Sequence, residues 1–178
     1  MVTTSNFGFH SIFFYYGKSH LMVNLYQYIK TGIEKNEFMY LNIENKLFKS
    51  IINYFSDEEK RQIEIFSLGD RINKTKKNGR QVVDELFIEF QENVIENGYS
   101  GVRVIWDAGT LINELSRGTF INIEKTIQAL ISELKVSLLC VYDFDNYVNL
   151  RTTINKKLIK ETYKTYDHKY FQMKLIEI

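Results

Sequence analysis

Proline is absent from the 178 residues, and cysteine occurs once, at Cys140. Without proline, every turn has to be made by Gly, Asn, Asp or Ser. A single cysteine excludes an internal disulfide framework and points to a reducing, cytoplasmic setting. Excess charge is also lacking: 23 basic and 22 acidic residues leave a formal net charge of +1. That balance provides no global field to draw in a polyanion, so direct nucleic-acid binding is not expected. No apolar run reaches the roughly 18 residues that span a bilayer, and the opening MVTTSNFGFH lacks the charged and apolar regions of a signal peptide. No membrane association follows. What the chain does have is 44% hydrophobic and 15% aromatic residues, enough for one well-filled core and hence one domain over residues 1–178.

Apolar runs alternate with helical periods along the chain. SIFFYY (11–16) reads as a strand buried on both faces, followed by a helix with Met22, Leu25, Tyr26, Ile29 and Ile33 on one side and Gly32 near its end. EFMYLNI (37–43) is a second strand, and Leu47, Ile51, Ile52 and Phe55 restore helical spacing. Ser56 and Glu59 have the spacing of a capping box. QIEIFSL (62–68) is a third strand, and the polar stretch 69–80, with five basic residues against one acid, reads as a mobile, solvated loop. Val83, Leu86, Phe87, Phe90 and Val94 define a helix that stops near Gly98, and GVRVIWD (101–107) is strand four. A helix around Ile123, Ile127, Leu130, Ile131 and Leu134 leads to strand five, VSLLCVYD (136–143). Asp145 is placed to cap a helix carrying Val148, Leu150, Ile154 and Leu158, and YFQMKLIEI (170–178) alternates as one closing strand. Strands alternating with helices predict an α/β fold with a mostly parallel, doubly wound sheet covered by helices on both faces.

In such a sheet ligands bind beyond the carboxyl ends of the strands. The residues there are Tyr15, Tyr16, Gly17, Lys18 and Ser19 after strand one and Asn42 and Glu44 after strand two. Trp106 and Asp107 end strand four, and Tyr142, Asp143 and Asp145 end strand five. Gly17-Lys18-Ser19 is the second half of the phosphate-binding pattern G-x-x-x-x-G-K-[ST]. The first glycine would fall at Ile12, and the spacer at Phe13, Phe14, Tyr15 and Tyr16. Four bulky aromatics that belong to a strand cannot form a nest of phosphate-binding amides. What remains is a lysine at a helix start, suited to a carboxylate or a single phosphate.

Four segments in order, FGFHSIFFYY, GIEKNEFMYLNIE, ENGYSGVRVIWDAG and LLCVYDFD, resemble the MEDS domain, the sensory domain of methanogen and methylotroph regulators such as the dichloromethane-responsive repressor. The resemblance runs from about Gly8 to His168. It implies a RecA/KaiC-like fold that lacks a functional Walker A loop, with strands in the order 3-2-4-5-1-6. It also implies a non-enzymatic role in sensing a small molecule, proposed for that family to be a hydrocarbon derivative, without a cofactor. His10, Tyr15 or Tyr16, Arg103, Cys140, Tyr142 and Asp143 match family positions, with Glu124 opposite a family acid ahead of strand five. Many family members carry a helix-turn-helix or kinase module that these 178 residues do not show, so the resemblance implies either an output partner in trans, a kinase or transcription factor, or a sensor portion of something longer; a homodimer is compatible with both.

The predicted strand order sets Cys140, Tyr142 and Asp143 near Tyr15, Tyr16, Trp106 and Asp107, a site with aromatic walls and a few carboxylates suited to a partly apolar ligand. Plainer readings stand beside it. His10 also suits a hydrogen-bonded strand start, Cys140 core packing, Asp107 and Asp143 helix caps, and Arg103 a buried partner carboxylate. No metal is expected, because the spacing of His10, His20 and Cys140 resembles no metal motif. A RecA-type ATPase would instead use Lys18 on phosphate, Ser19 on Mg²⁺ and Asp107 as the acidic group, and a ligand-free interaction module is the third reading. The segments 69–80 and 108–120 are the expected moving parts.

Overall fold

Short apolar runs flanked by amphipathic helices build one sheet in a computed structural model that describes residues 7–75, 77–145, 168–171 and 174–177. In chain order the elements are β1 (His10–Tyr15), α1 (Gly17–Glu34), β2 (Glu37–Asn42), α2 (Asn45–Ile52), α3 (Asp57–Lys60), β3 (Ile63–Ile65) and α4 (Leu68–Thr75). They continue with α5 (Gly79–Glu96), β4 (Gly101–Asp107), α6 (Ala108–Glu114), α7 (Arg117–Ile131), β5 (Val136–Asp143), β6 (His168–Phe171) and β7 (Lys174–Glu177). The seven-stranded sheet has the order β3-β2-β4-β5-β1-β6-β7. Every neighbouring pair is parallel except β6 with β7. The order expected for the first six strands is the one observed.

Pleating divides the core in two. Ile12, Val102, Val104, Trp106, Leu138, Cys140 and Tyr142 pack with α5, α6 and α7, whereas Phe13, Met39, Leu41, Ile105, Leu139 and Val141 pack with α1 and α2. Tyr40 of β2 stacks on Phe90 of α5 with ring centroids 3.6 Å apart. Its hydroxyl accepts a hydrogen bond from Asn93 Nδ2 at 3.3 Å. Such a ring pair adds stabilisation beyond the area it buries.

Two sequence expectations change. The stretch 69–80 is not a loop throughout: Leu68 N donates to Asn42 Oδ1 at 2.9 Å and Asp70 N to Ser67 Oγ at 3.1 Å, and these caps start α4. Two of the five basic residues are held by α5, with Arg71 bidentate to Glu89 at 2.7 and 2.9 Å and Lys77 on Glu85 at 2.6 Å. Partners 8 and 18 positions away lie outside the local window from which a loop is read. The single closing strand is two, because the tail lays β6 against β1 and turns back as β7. The helix read over Val148, Leu150, Ile154 and Leu158 lies outside the described residues. The capping box at Ser56 and Glu59 is present with both reciprocal bonds.

Arg103 does pair with a carboxylate. Its guanidinium meets Glu37 across the β2–β4 pair, donates to Tyr28 O at 2.9 Å and Thr31 Oγ1 at 3.1 Å, and lies 4.7 Å from the centre of the Tyr28 ring. Burial holds the Glu37 carboxyl above its ordinary range, and the Arg103 charge offsets part of that rise. A buried charge left alone costs more than the pair contributes. Arg103→Met is therefore expected to destabilise the fold by about 3–5 kcal/mol, and the double change Arg103→Met with Glu37→Leu to recover most of that in urea unfolding. A double variant no more stable than the single one refutes this account.

Candidate functional site

The carboxyl ends of β1, β4 and β5 form one edge, but the pleat sends their side chains to opposite sides. Tyr15, Asp107 and Asp143 turn toward α1 and α2, and with Gly17, Lys18, Glu44 and Lys46 they line a cleft of about 290 Å³. Buried Leu21 and Leu47 supply its apolar floor. Three carboxylates and two ammonium groups thus ring an apolar base, at the small end of ligand-pocket sizes.

Asp107 has two tasks at this edge. It caps α6, accepting from Gly109 N at 3.0 Å and from Thr110 Oγ1 at 2.9 Å. Burial raises its pKa above the ordinary aspartate range, the two donors pull it part of the way back, and nearby Asp143 adds to the rise. Tyr15 is pushed well above the ordinary phenol range, first by burial and then by the charges of Asp107 and Asp143. Asp143 Oδ1 accepts from Asp145 N at 2.9 Å. At the far end of α6, Glu114 Oε2 accepts from Gly69 N of α4 at 3.3 Å, and burial raises this carboxyl too.

The β1–α1 joint explains what became of GKS. β1 runs in register with β5 as far as Tyr15 against Asp143, and α1 begins at Gly17. Only Tyr16, in extended conformation, separates them. Gly17 takes φ +68, a left-handed geometry that glycine accepts at least cost. Tyr16 N donates to His20 Nδ1 at 3.0 Å, and Lys18 Nζ lies 3.5 Å from Ser50 Oγ of α2. No stretch of loop is left between strand and helix to wrap a phosphate. Ser19 is exposed and outside the cleft lining.

On the other side of the sheet three chemically active groups meet without exposure. His10, at the start of β1, Cys140 of β5 and Glu124 of α7 are all 0% exposed. Cys140 Sγ lies 3.6 Å from His10 Nε2 and 3.4 Å from Glu124 Oε1, and His10 Nε2 lies 3.3 Å from Glu124 Oε2. The β1–β5 register sets Ile12 opposite Cys140, so His10 is two residues back on the same face.

A family model described as "MEthanogen/methylotroph, DcmR Sensory domain", abbreviated MEDS, matches residues 9–165. The chain belongs to the MEDS family. A solved KaiC-like protein from the hyperthermophilic archaeon Pyrococcus horikoshii matches with a TM-score of 0.51 over 95% of this chain and 76% of its own, at 12% identity. That likeness shows the RecA/KaiC-like fold. No curated protein matches the chain significantly.

Within this MEDS fold the expected site separates into parts. Tyr15, Lys18, Glu44, Asp107 and Asp143 share the cleft. Trp106 and Tyr142, expected as its aromatic walls, are 0% exposed on the opposite face, where Trp106 lies 5.6 Å from Phe87 and Tyr142 5.6 Å from Phe14. They immediately precede Asp107 and Asp143, and one residue along a strand is enough to change sides. Arg103 serves Glu37 nearer the amino end of β4. Tyr16 is 55% exposed and packs on Phe144, ring centroids 4.4 Å apart. His10 and Cys140 join Glu124, whereas His20 belongs to the α1 side. Sequence reasoning missed Lys46, Leu21 and Leu47 as lining; the only signal was that Lys46 closely follows the end of β2. No described helix is long and apolar enough to cross a membrane.

The raised Asp107 fixes the sign of a pH effect. A folded-state carboxyl above its unfolded value favours the native state at pH below both values, and that contribution is lost as pH rises through the folded one. Asp107→Asn keeps a cap acceptor for Gly109 N and removes the titration. Relative to the variant, the native protein is expected to lose unfolding free energy as pH rises from below the ordinary aspartate range. Urea melts at a series of pH values measure the difference, and a constant offset would contradict the assignment.

Proposed function

We propose that this MEDS chain is a non-enzymatic sensory domain whose α1/α2-side cleft binds a small molecule with an apolar body and a polar head, and that occupancy is signalled to a regulatory partner in trans. The observation that carries this reading is the β1–α1 joint: the phosphate-wrapping loop is replaced by strand, while the cleft beyond the strand ends stays open. Leu21 and Leu47 suit the apolar body; Lys18, Lys46 and the three carboxylates suit a polar head, and a hydrocarbon derivative bearing one such group has that chemistry.

A signal requires that the ligand bind one arrangement of the edge better than another. Asp107 offers the connection, because it lines the cleft and caps α6, whose Glu114 holds the start of α4. A ligand competing for the Asp107 carboxylate weakens the cap, and the α6–α4 contact follows. The segments 69–80 and 108–120 act here as short helices that shift, not as a flexible loop. A kinase or a transcription factor is the partner class proposed.

Ligand-dependent melting tests this reading. A compound present at a hundred times its Kd adds about 2.7 kcal/mol to stability. Small polar derivatives of short hydrocarbons are expected to include compounds that raise Tm, with the rise lost in Lys18→Ala and Asp107→Asn. A Tm rise with ATP and Mg²⁺ that Lys18→Ala removes would replace this reading by the nucleotide-binding one. No rise with either class would favour the interaction module.

A further inference from the structure

His10, Glu124 and Cys140 form a group that the cleft does not use. It lies on the other face of the sheet, and its chemistry is of a different kind. α7 buries Phe120, Ile123, Ile127 and Ile131 and, among them, the carboxylate of Glu124. Placing an acid on that stripe costs free energy unless something compensates its charge. Across from it stand an imidazole and a thiol, equally inaccessible.

We infer that His10 Nε2, Glu124 and Cys140 Sγ form a three-ligand site for a zinc-class divalent cation. Zinc bonds to sulfur, nitrogen and oxygen are about 2.3, 2.0–2.1 and 2.0–2.2 Å, and at tetrahedral angles they set the ligand atoms about 3.3–3.6 Å apart. Here Cys140 Sγ lies 3.6 Å from His10 Nε2 and 3.4 Å from Glu124 Oε1, His10 Nε2 lies 3.3 Å from Glu124 Oε2, and one ligand atom from each residue lies within 4.8 Å of the other two. Hydrogen bonds alone leave one atom unexplained. Glu124 Oε2 accepts none among the described residues, although it lies 3.3 Å from the imidazole nitrogen. The pair is close and misaligned, as two donors to a common centre are. Charge agrees: a thiolate and a carboxylate neutralise a 2+ ion, so the loaded site is net neutral within an apolar cluster. Sulfur with nitrogen selects zinc-like ions over Mg²⁺ or Ca²⁺, which prefer oxygen. Three protein ligands leave the fourth tetrahedral position to water or a small molecule.

Cobalt(II) reports on this site directly. The chain has one cysteine, so a thiolate-to-cobalt charge-transfer band in the near ultraviolet assigns itself to Cys140. The 178-residue chain, stripped by a chelator and freed of it, is expected to develop that band together with tetrahedral d–d bands. Both should saturate at one equivalent of Co²⁺ and bleach with one equivalent of Zn²⁺. Glu124→Gln should keep the band and weaken affinity by at least the roughly 10–100-fold that a lost supporting contact costs, and Cys140→Ser should abolish the band. The native-sequence titration decides even if a variant fails to fold: a folded protein with no saturable charge-transfer band overturns the site. Cys140→Ser retaining the band would do so equally. Neither result depends on what the α1/α2-side cleft binds.

Discussion

The parallel pairing of β1, β5 and β4 is the constraint on which the rest of the molecule depends. Its register is continuous, from His10 against Leu138 to Tyr15 against Asp143, and from Val102 against Val136 to Asp107 against Val141. Register fixes more than neighbours. With a side-chain period of two, it assigns every residue of three buried strands to one of two cores. A slip by one position would bury Asp107 and Asp143 under α5–α7 and turn Cys140 toward α1.

The cleft and the buried His10–Glu124–Cys140 cluster are consequences of that one division. On the α1/α2 side the strands end in the half-buried carboxylates of Asp107 and Asp143, which line a cleft open to solvent. On the α5–α7 side His10 and Cys140 lie under a helix that contributes Glu124, and none of the three is exposed to bulk solvent. Similar residue types therefore take on different chemistry. Asp107 remains a cap and an electrostatic neighbour, while Glu124 needs a compensating positive charge. In this MEDS fold the RecA-like frame persists, and the phosphate loop has been absorbed into β1.

Much of this was legible in the chain. The α/β class, the missing phosphate loop and the pairing of Arg103 with an acid follow from periodicity, from four aromatics before Gly17 and from the cost of burying a guanidinium; the order of the first six strands came from the resemblance to the MEDS domain. Less legible was α4, because Arg71 and Lys77 find Glu89 and Glu85 on another helix. Trp106 and Tyr142 were grouped with Asp107 and Asp143 because strand-end position was read without the pleat that separates neighbours. Glu124 stood out only through the resemblance, opposite a family acid ahead of strand five, and nothing local set it beside His10 and Cys140.

What the sequence determined by itself is local: which segments are strands, which are helices, and that residues 13–16 pair as strand where a nucleotide loop would otherwise lie. These follow from side-chain period and backbone preference within a few positions. Only the tertiary structure decided which side each rim residue faces, and that His10, Glu124 and Cys140, from positions 10, 124 and 140, share one buried space. The physical reason is that no local rule relates residues more than a hundred positions apart; the sheet register and the docking of α7 do.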